Sequence, residues 1–148
     1  NEIQARAEAK GGTVYDKLVN LFIDAALTAR RSPSYIQVYL SLQSPGMEKF
    51  AETYAPVLES AGMEIYRRLL ASGINAGELR PDLDVEAAAY LIDNTLMALY
   101  GSAANKFFKI HRDAMLGDGG RITRERASQI AVRVLSNLFA GLRTPARN

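Results

Sequence analysis

Four long segments of the chain repeat apolar residues at intervals of three and four, and this spacing constrains the fold more than any other feature. The segments span residues 13–31, 45–75, 85–111 and 122–141. A shorter uncharged stretch, 35–43, fits either a strand or a helix. We interpret it as a helix, because a single strand would have no partner for its backbone hydrogen bonds. The sequence therefore predicts an all-α fold of five to six helices in one domain covering residues 1–148.

Residues with known capping preferences mark the ends of these segments. Thr13 is a suitable N-cap, with Asp16 three residues later in the first turn, and Asp84 takes the same position before residue 85. Ser32 precedes Pro33 and therefore avoids the helical conformation, which ends the first helix. Pro56 lies inside the third segment and removes one backbone hydrogen bond, so we expect a kink or a break there.

The composition excludes several kinds of site. The chain contains no cysteine, which excludes disulfides, thiolate zinc sites and thiol catalysis, and is consistent with the reducing cytoplasm. The single histidine, His111, stands beside basic residues at a helix end, where we expect it to be solvated. With no base–nucleophile motif, the sequence predicts neither an enzyme nor a metal or cofactor site. Its apolar runs are too short and too interrupted by charge to span a membrane.

The charge balance is nearly neutral, with a formal net charge of +2. That excess is too small and too dispersed to predict a nucleic-acid surface. The local basic cluster consists of Arg121, Arg124 and Arg126, which we interpret as part of a solvated loop and first helical turn.

Asp93 and Asn94 lie in the middle of the most apolar segment. Burying an unpaired carboxylate or amide costs several kcal/mol, so each of the two side chains needs a partner. They either meet a side chain in the core or in a subunit interface, or point into a cavity and hold a polar group of a ligand.

Aromatic residues on several helices offer a similar choice between core and pocket. Tyr90, Asn94 and Met97 fall on one face of the central helix, because they are spaced at i, i+4 and i+7. We predict that they line a mostly apolar ligand pocket together with Phe22, Tyr39 and Tyr54. The opposite face carries smaller residues, Leu91, Thr95, Ala98 and Ser102, and we expect it to pack closely against another helix.

The last segment carries an apolar seam that a small domain would not leave exposed. Its residues are Ala131, Val134, Leu135, Leu138, Phe139 and Leu142. We predict that this seam forms the interface of a homodimer.

The connection "GINAGELRPDLDV", residues 73–85, is unusually specific for a link between two helices. Gly77 suits a left-handed C-terminal cap, Pro81 prevents the helix from continuing, and Asp84 begins the next helix. The stretch from Gly73 to Gly101 resembles the regulatory half of the tetracycline-repressor (TetR) family of transcription factors. In that family a long helix ends in a Gly-x-x-x-Gly-Glu-Leu-Arg-Pro-Asp-like connection. The ending "LSNLFAGL", residues 135–142, is also similar to the family's last helix.

The resemblance implies an effector-binding and dimerisation domain, in which the helices 85–111 and 122–141 pair with those of a second chain as a four-helix bundle. A small, largely apolar effector would bind among the helices and act through the helix that leads to the DNA-binding domain. Residues 1–10 resemble the end of that connecting helix. The family's helix-turn-helix domain is missing before Asn1, so we expect operator DNA to be bound only through a preceding part of the protein.

Two alternatives stay open at this point. The chain could be a helical dimerisation or protein-interaction module without a ligand, which would show a filled core and no cavity. A small helical enzyme would require catalytic groups that the sequence does not offer.

Overall fold

The computed structural model of the chain describes residues 11–117 and 119–142. These residues form six helices and no strand, which confirms the predicted all-α fold. The helices are α1 (Val14–Arg31), α2 (Pro33–Ser41), α3 (Glu48–Asn75), α4 (Val85–Ala104), α5 (Lys106–Leu116) and α6 (Arg124–Leu142). The predicted stub at residues 1–10 lies outside the described residues.

Helix α1 is the central element, and it packs against α4 and α6. Its apolar residues recur every three or four positions, so that Leu18, Phe22 and Ala26 lie fully buried on one side. The predicted cap is confirmed: the Thr13 hydroxyl accepts from the backbone N–H of Asp16, and the Asp16 carboxylate accepts from the backbone N–H of Thr13.

Helix α3 begins later than predicted and does not break at its proline. The residues before Glu48 form a turn in which Gly46 has a positive φ of 88°. Pro56 lies within the continuous helix. Both Pro56 and Glu52, whose carbonyl loses its helical partner, are exposed, so water can satisfy that carbonyl.

The predicted helix 85–111 is divided into two helices at Asn105. This residue adopts an extended conformation, and its side-chain oxygen accepts hydrogen bonds from the backbone N–H groups of Phe107 (2.8 Å) and Phe108 (3.3 Å). Helix α5 then packs back against α4. A Cβ atom at Gly101 would lie 3.1 Å from two ring carbons of Phe108, so the glycine permits this close approach.

The connection after α3 ends the helix in the way its glycine predicts. Gly77 has a φ of 72°, and the N–H groups of Gly77 and Glu78 bond the carbonyls of Ile74 (3.0 Å) and Gly73 (2.9 Å). These two bonds form a Schellman motif, which satisfies carbonyls that would otherwise be left unpaired at the helix end.

The same connection also joins three distant parts of the chain. The Glu78 carboxylate accepts from the backbone N–H of Val14 at 2.7 Å, at the first turn of α1. The backbone N–H of Arg80 donates to the carbonyl of Leu142 at 3.1 Å, at the end of α6. The order of residues in the connection therefore serves to hold the ends of α1, α3 and α6 together.

Candidate ligand groove

An open cavity of about 360 Å³ lies between α1, α4, α5 and α6. We call it the groove. Its lining residues are Phe22, Leu91, Asn94, Thr95, Ala98, Leu99, Phe108, His111, Arg112, Met115, Leu116, Ile130 and Val134. Most of these side chains are apolar, and Phe22 is fully buried at its base. A mostly apolar cavity with a few polar groups is the usual form of a small-molecule site.

Two polar side chains on α4 reach the groove, and both bond their own helix. Asn94 donates from its amide to the carbonyl of Tyr90 at 2.7 Å, and the Thr95 hydroxyl donates to the carbonyl of Leu91 at 2.7 Å. Within the described part of the chain, the Asn94 side chain makes no further hydrogen bond. Its carbonyl oxygen and second N–H are therefore free to bind a ligand.

The third polar group of the groove is a buried guanidinium. Arg112 is 5% exposed and donates to the Asp113 carboxylate at 2.6 Å and to the Gly120 carbonyl at 2.9 Å. Hydrogen bonds from Lys109 and then from Arg112 hold the pKa of Asp113 below its ordinary value. Asp113 therefore stays ionised and compensates the buried positive charge.

The six predicted pocket residues do not come together at one site. Phe22 and Asn94 line the groove. Tyr39 and Met97 pack instead against a small core cluster on the α2 side of α4. Tyr54 and Tyr90 point to solvent, with exposures of 54% and 65%. That any of these residues contacts a ligand stays a prediction.

The groove is lined by the face of α4 for which we expected close helix packing. Leu91, Thr95 and Ala98 all contact the cavity, and only Ser102 of that set is buried. The expectation failed because α5 folds back beside α4 and supplies Phe108, His111 and Met115 to the same cavity. The clue in the sequence was Asn105, since asparagine is a preferred N-cap and begins α5.

Beyond the opposite side of α4, polar side chains of α2, α3 and α4 are paired with one another. Asp93 accepts a hydrogen bond from the Tyr66 hydroxyl, and Tyr39 donates to the Glu59 carboxylate. Burial raises the pKa of Asp93, and burial together with Asp93 also raises the pKa of Tyr66. Of the two neighbouring polar residues noted in the sequence, Asp93 thus meets a core partner, whereas Asn94 lines a cavity.

The apolar seam on α6 is largely covered by the chain itself. Ala131, Leu135, Phe139 and Leu142 belong to the main core, and Phe139 packs edge-on against Tyr15 of α1 at 5.4 Å between ring centroids. Val134 lines the groove, and Leu138 is half-buried against the core. The core of the chain thus buries four of the six seam residues, so their apolar character does not by itself require a second chain. Whether the chain dimerises stays a prediction.

Across residues 11–117 and 119–142, no three histidine, aspartate or glutamate side chains are grouped so that they could hold a metal ion. No helix in this part of the chain is both long and apolar enough to cross a membrane.

Comparison with known proteins gives a structural relative. No family model and no curated protein matches the sequence. The structure is similar to that of the ketosteroid transcriptional regulator KstR2 of Mycobacterium tuberculosis, with a TM-score of 0.61 at 18% sequence identity. The match covers 97% of this chain and 65% of that one, so this chain spans less than two-thirds of the length of its relative. The chain therefore shares the all-α fold of that structure.

Proposed function

We propose that this chain is the regulatory domain of a TetR-like transcriptional regulator, a repressor, that dimerises and binds a small, mostly apolar effector. The observation that carries this proposal is the groove, an apolar cavity in a chain with the fold of a transcriptional regulator. Operator DNA would be bound by a helix-turn-helix domain that precedes these residues in the full-length protein.

The size and lining of the groove support an effector site. Its volume of about 360 Å³ falls near the lower end of the range for small-molecule pockets, which is about 300–1,000 Å³. Phe22 and Leu99 offer apolar contact area, while Asn94 offers one free donor and one free acceptor. These features favour a compact apolar molecule with a single polar group.

A route from the groove to the DNA-binding domain runs along α1. Phe22 lies in the middle of α1, and the N-terminal end of this helix leads back towards residues 1–10. The bond from Val14 to Glu78 holds that end in place. An effector would control DNA binding only if it bound one position of α1 more tightly than the other, because coupling requires different affinities for two states.

Exposed apolar side chains on α4 and α5 offer a surface through which two copies of the chain could pair. Leu91, Phe107, Ile110 and Met115 on α4 and α5 are 49%, 72%, 56% and 70% exposed. Apolar patches of this kind mark interaction surfaces. We define these four residues as the rim, and we propose that the dimer forms through it.

Binding of the neutral apolar dye Nile red tests the effector site. Replacing Ala98, which lines the groove, with tryptophan should fill the cavity and weaken dye binding at least tenfold. The matched control is Ala71→Trp, which places the same side chain at an exposed position on α3 outside the groove. Equal dye affinity in the wild type and in both variants would exclude the groove as an apolar ligand site.

A homodimerisation module without a ligand is the second candidate, and the exposed rim favours it. Sedimentation velocity of Ile110→Arg should show a monomer, because a charge within the rim would have to be desolvated in the dimer. A dimeric wild type that loses dimerisation in Ile110→Arg but binds no dye would favour this second candidate over the effector-binding domain. A wild type that is monomeric at micromolar concentration would contradict both.

A further inference from the structure

A second cavity, of about 300 Å³, lies where the end of α1, the start of α5 and the loop before α6 meet. Its lining includes Arg30, Ser102, Lys109, Gly120, Arg121 and Ile122, and we call it the basic pocket. It shares no lining residue with the groove. Arg112 lies between the two cavities, because it lines the groove and bonds Ser102 and Gly120 of the basic pocket.

Positive charge exceeds negative charge around this pocket. Arg30, Lys109 and Arg121 come from three different elements of the fold. Asp113 forms ion pairs with both Lys109 (2.5 Å) and Arg112 (2.6 Å). Arg30 donates to a neutral acceptor, the Ile122 carbonyl, at 2.6 Å. Arg121 forms no hydrogen bond or ion pair with the described residues, and Asp118 of the same loop lies outside them.

The loop that carries Arg121 is held in a defined conformation. Arg30 donates to the carbonyl of Ile122, the residue after Arg121, and Arg112 donates to the carbonyl of Gly120, the residue before it. Gly120 has a φ of 119°, a conformation that other residues rarely adopt. Because the loop is fixed on both sides of Arg121, the backbone that carries this side chain is already ordered before a ligand arrives, which lowers the cost of binding.

We propose that the basic pocket binds a small organic anion carrying a phosphate group. Arginine side chains present paired N–H donors that match the oxygens of phosphate, and a doubly charged phosphate compensates more of the excess charge than a single carboxylate does. The cavity volume also exceeds the space of one or two water molecules, each of which takes about 30 Å³, so an organic part fits beside the phosphate.

The position of the pocket argues against operator DNA as its ligand. Arg30 lies in the last turn of α1, at the opposite end from Val14. With a rise of about 1.5 Å per residue, the 18 residues of α1 separate these ends by about 27 Å. A DNA-binding domain attached before residue 11 would lie beyond the far end of this helix.

Calorimetric titration with ribose 5-phosphate tests the proposal, with ribose as the matched neutral ligand. The wild-type chain should bind ribose 5-phosphate and give no binding heat with ribose. Arg121→Gln should weaken binding at least tenfold without changing the thermal unfolding midpoint, because Arg121 forms no hydrogen bond or ion pair with the described residues. The matched control is Arg68→Gln on α3, which removes the same charge outside the pocket and should bind as the wild type does.

Three results would overturn the proposal. The first is equal binding of ribose and ribose 5-phosphate, or none of either. The second is unchanged affinity for ribose 5-phosphate in Arg121→Gln. The third is tighter Arg121-dependent binding of citrate, or of a scrambled-sequence DNA duplex, which would assign the pocket to carboxylates or to nucleic acid. Because the two cavities share no lining residue, failure here leaves the proposed function untouched, and dye binding in the groove is measured separately.

Discussion

The two sides of α4 differ in how completely the rest of the chain covers them. The side towards α2 and α3 carries Asp93, Met97 and Tyr100, whose side chains pack against the small core cluster or bond Tyr66. The side towards α5 and α6 carries Leu91, Asn94 and Ala98, which line an open groove. One helix can therefore stabilise the fold with one face and leave the other available for binding. Single substitutions on the two faces should separate stability from binding.

The largest expected contrast between the two sides of α4 is in the free energy of unfolding, and two neighbouring residues show it. Ile92 is fully buried, whereas the adjacent Leu91 is 49% exposed in the groove. Ile92→Ala should lower the free energy of unfolding by about 2–5 kcal/mol, because it leaves a cavity in a packed core. Leu91→Ala should cost well under half as much. Urea unfolding measures both, and equal losses would mean that Leu91 is covered in solution.

The second contrast is in ligand binding. Asn94→Leu should change Nile red affinity by about two- to tenfold, which corresponds to roughly 0.5–1.5 kcal/mol for a group that contacts the ligand. Met97→Ala should leave the affinity unchanged, because Met97 packs on the other side of α4. The reverse result would place the effector between α2, α3 and α4 and not in the groove.

The third contrast is in the response to pH. The pKa of Asp93 is raised in the folded chain, chiefly by burial, so the folded state holds this proton more tightly than the unfolded state. Its contribution to stability is therefore present at low pH and is lost as the pH rises above the ordinary carboxylate value. Asp93→Asn should raise the urea midpoint at pH 7, and the gain should shrink towards pH 4. A gain that is independent of pH would show that ionisation of Asp93 is not its cause.

The smallest effect is expected at Thr95, on the groove side. Its hydroxyl bonds a carbonyl of its own helix, and valine has nearly the same shape. Thr95→Val should change the free energy of unfolding by no more than about 0.5 kcal/mol, as is usual away from a packed core. A loss above 1 kcal/mol in urea unfolding would show that the hydroxyl supports more than its own helix turn.

The sequence alone was sufficient at three helix ends that depend on near neighbours. Thr13 with Asp16 caps α1, Asp84 caps α4, and Gly77 ends α3, each as predicted. These interactions join residues within about four positions of each other, so the chain carries the information locally. The all-α fold followed from the same kind of evidence, since helical periodicity is visible in a single segment.

The tertiary structure alone decided which face of α4 meets which neighbour. This helix is apolar over most of its circumference, so its periodicity does not identify one inward face. The turn at Asn105 returns α5 to α4, and α1 covers Leu135 and Phe139 of the predicted dimer seam. The groove and the basic pocket consist of residues from several elements far apart in the chain, such as Arg30 and Arg121. Such sites depend on long-range packing, which the spacing of residues within one helix does not specify.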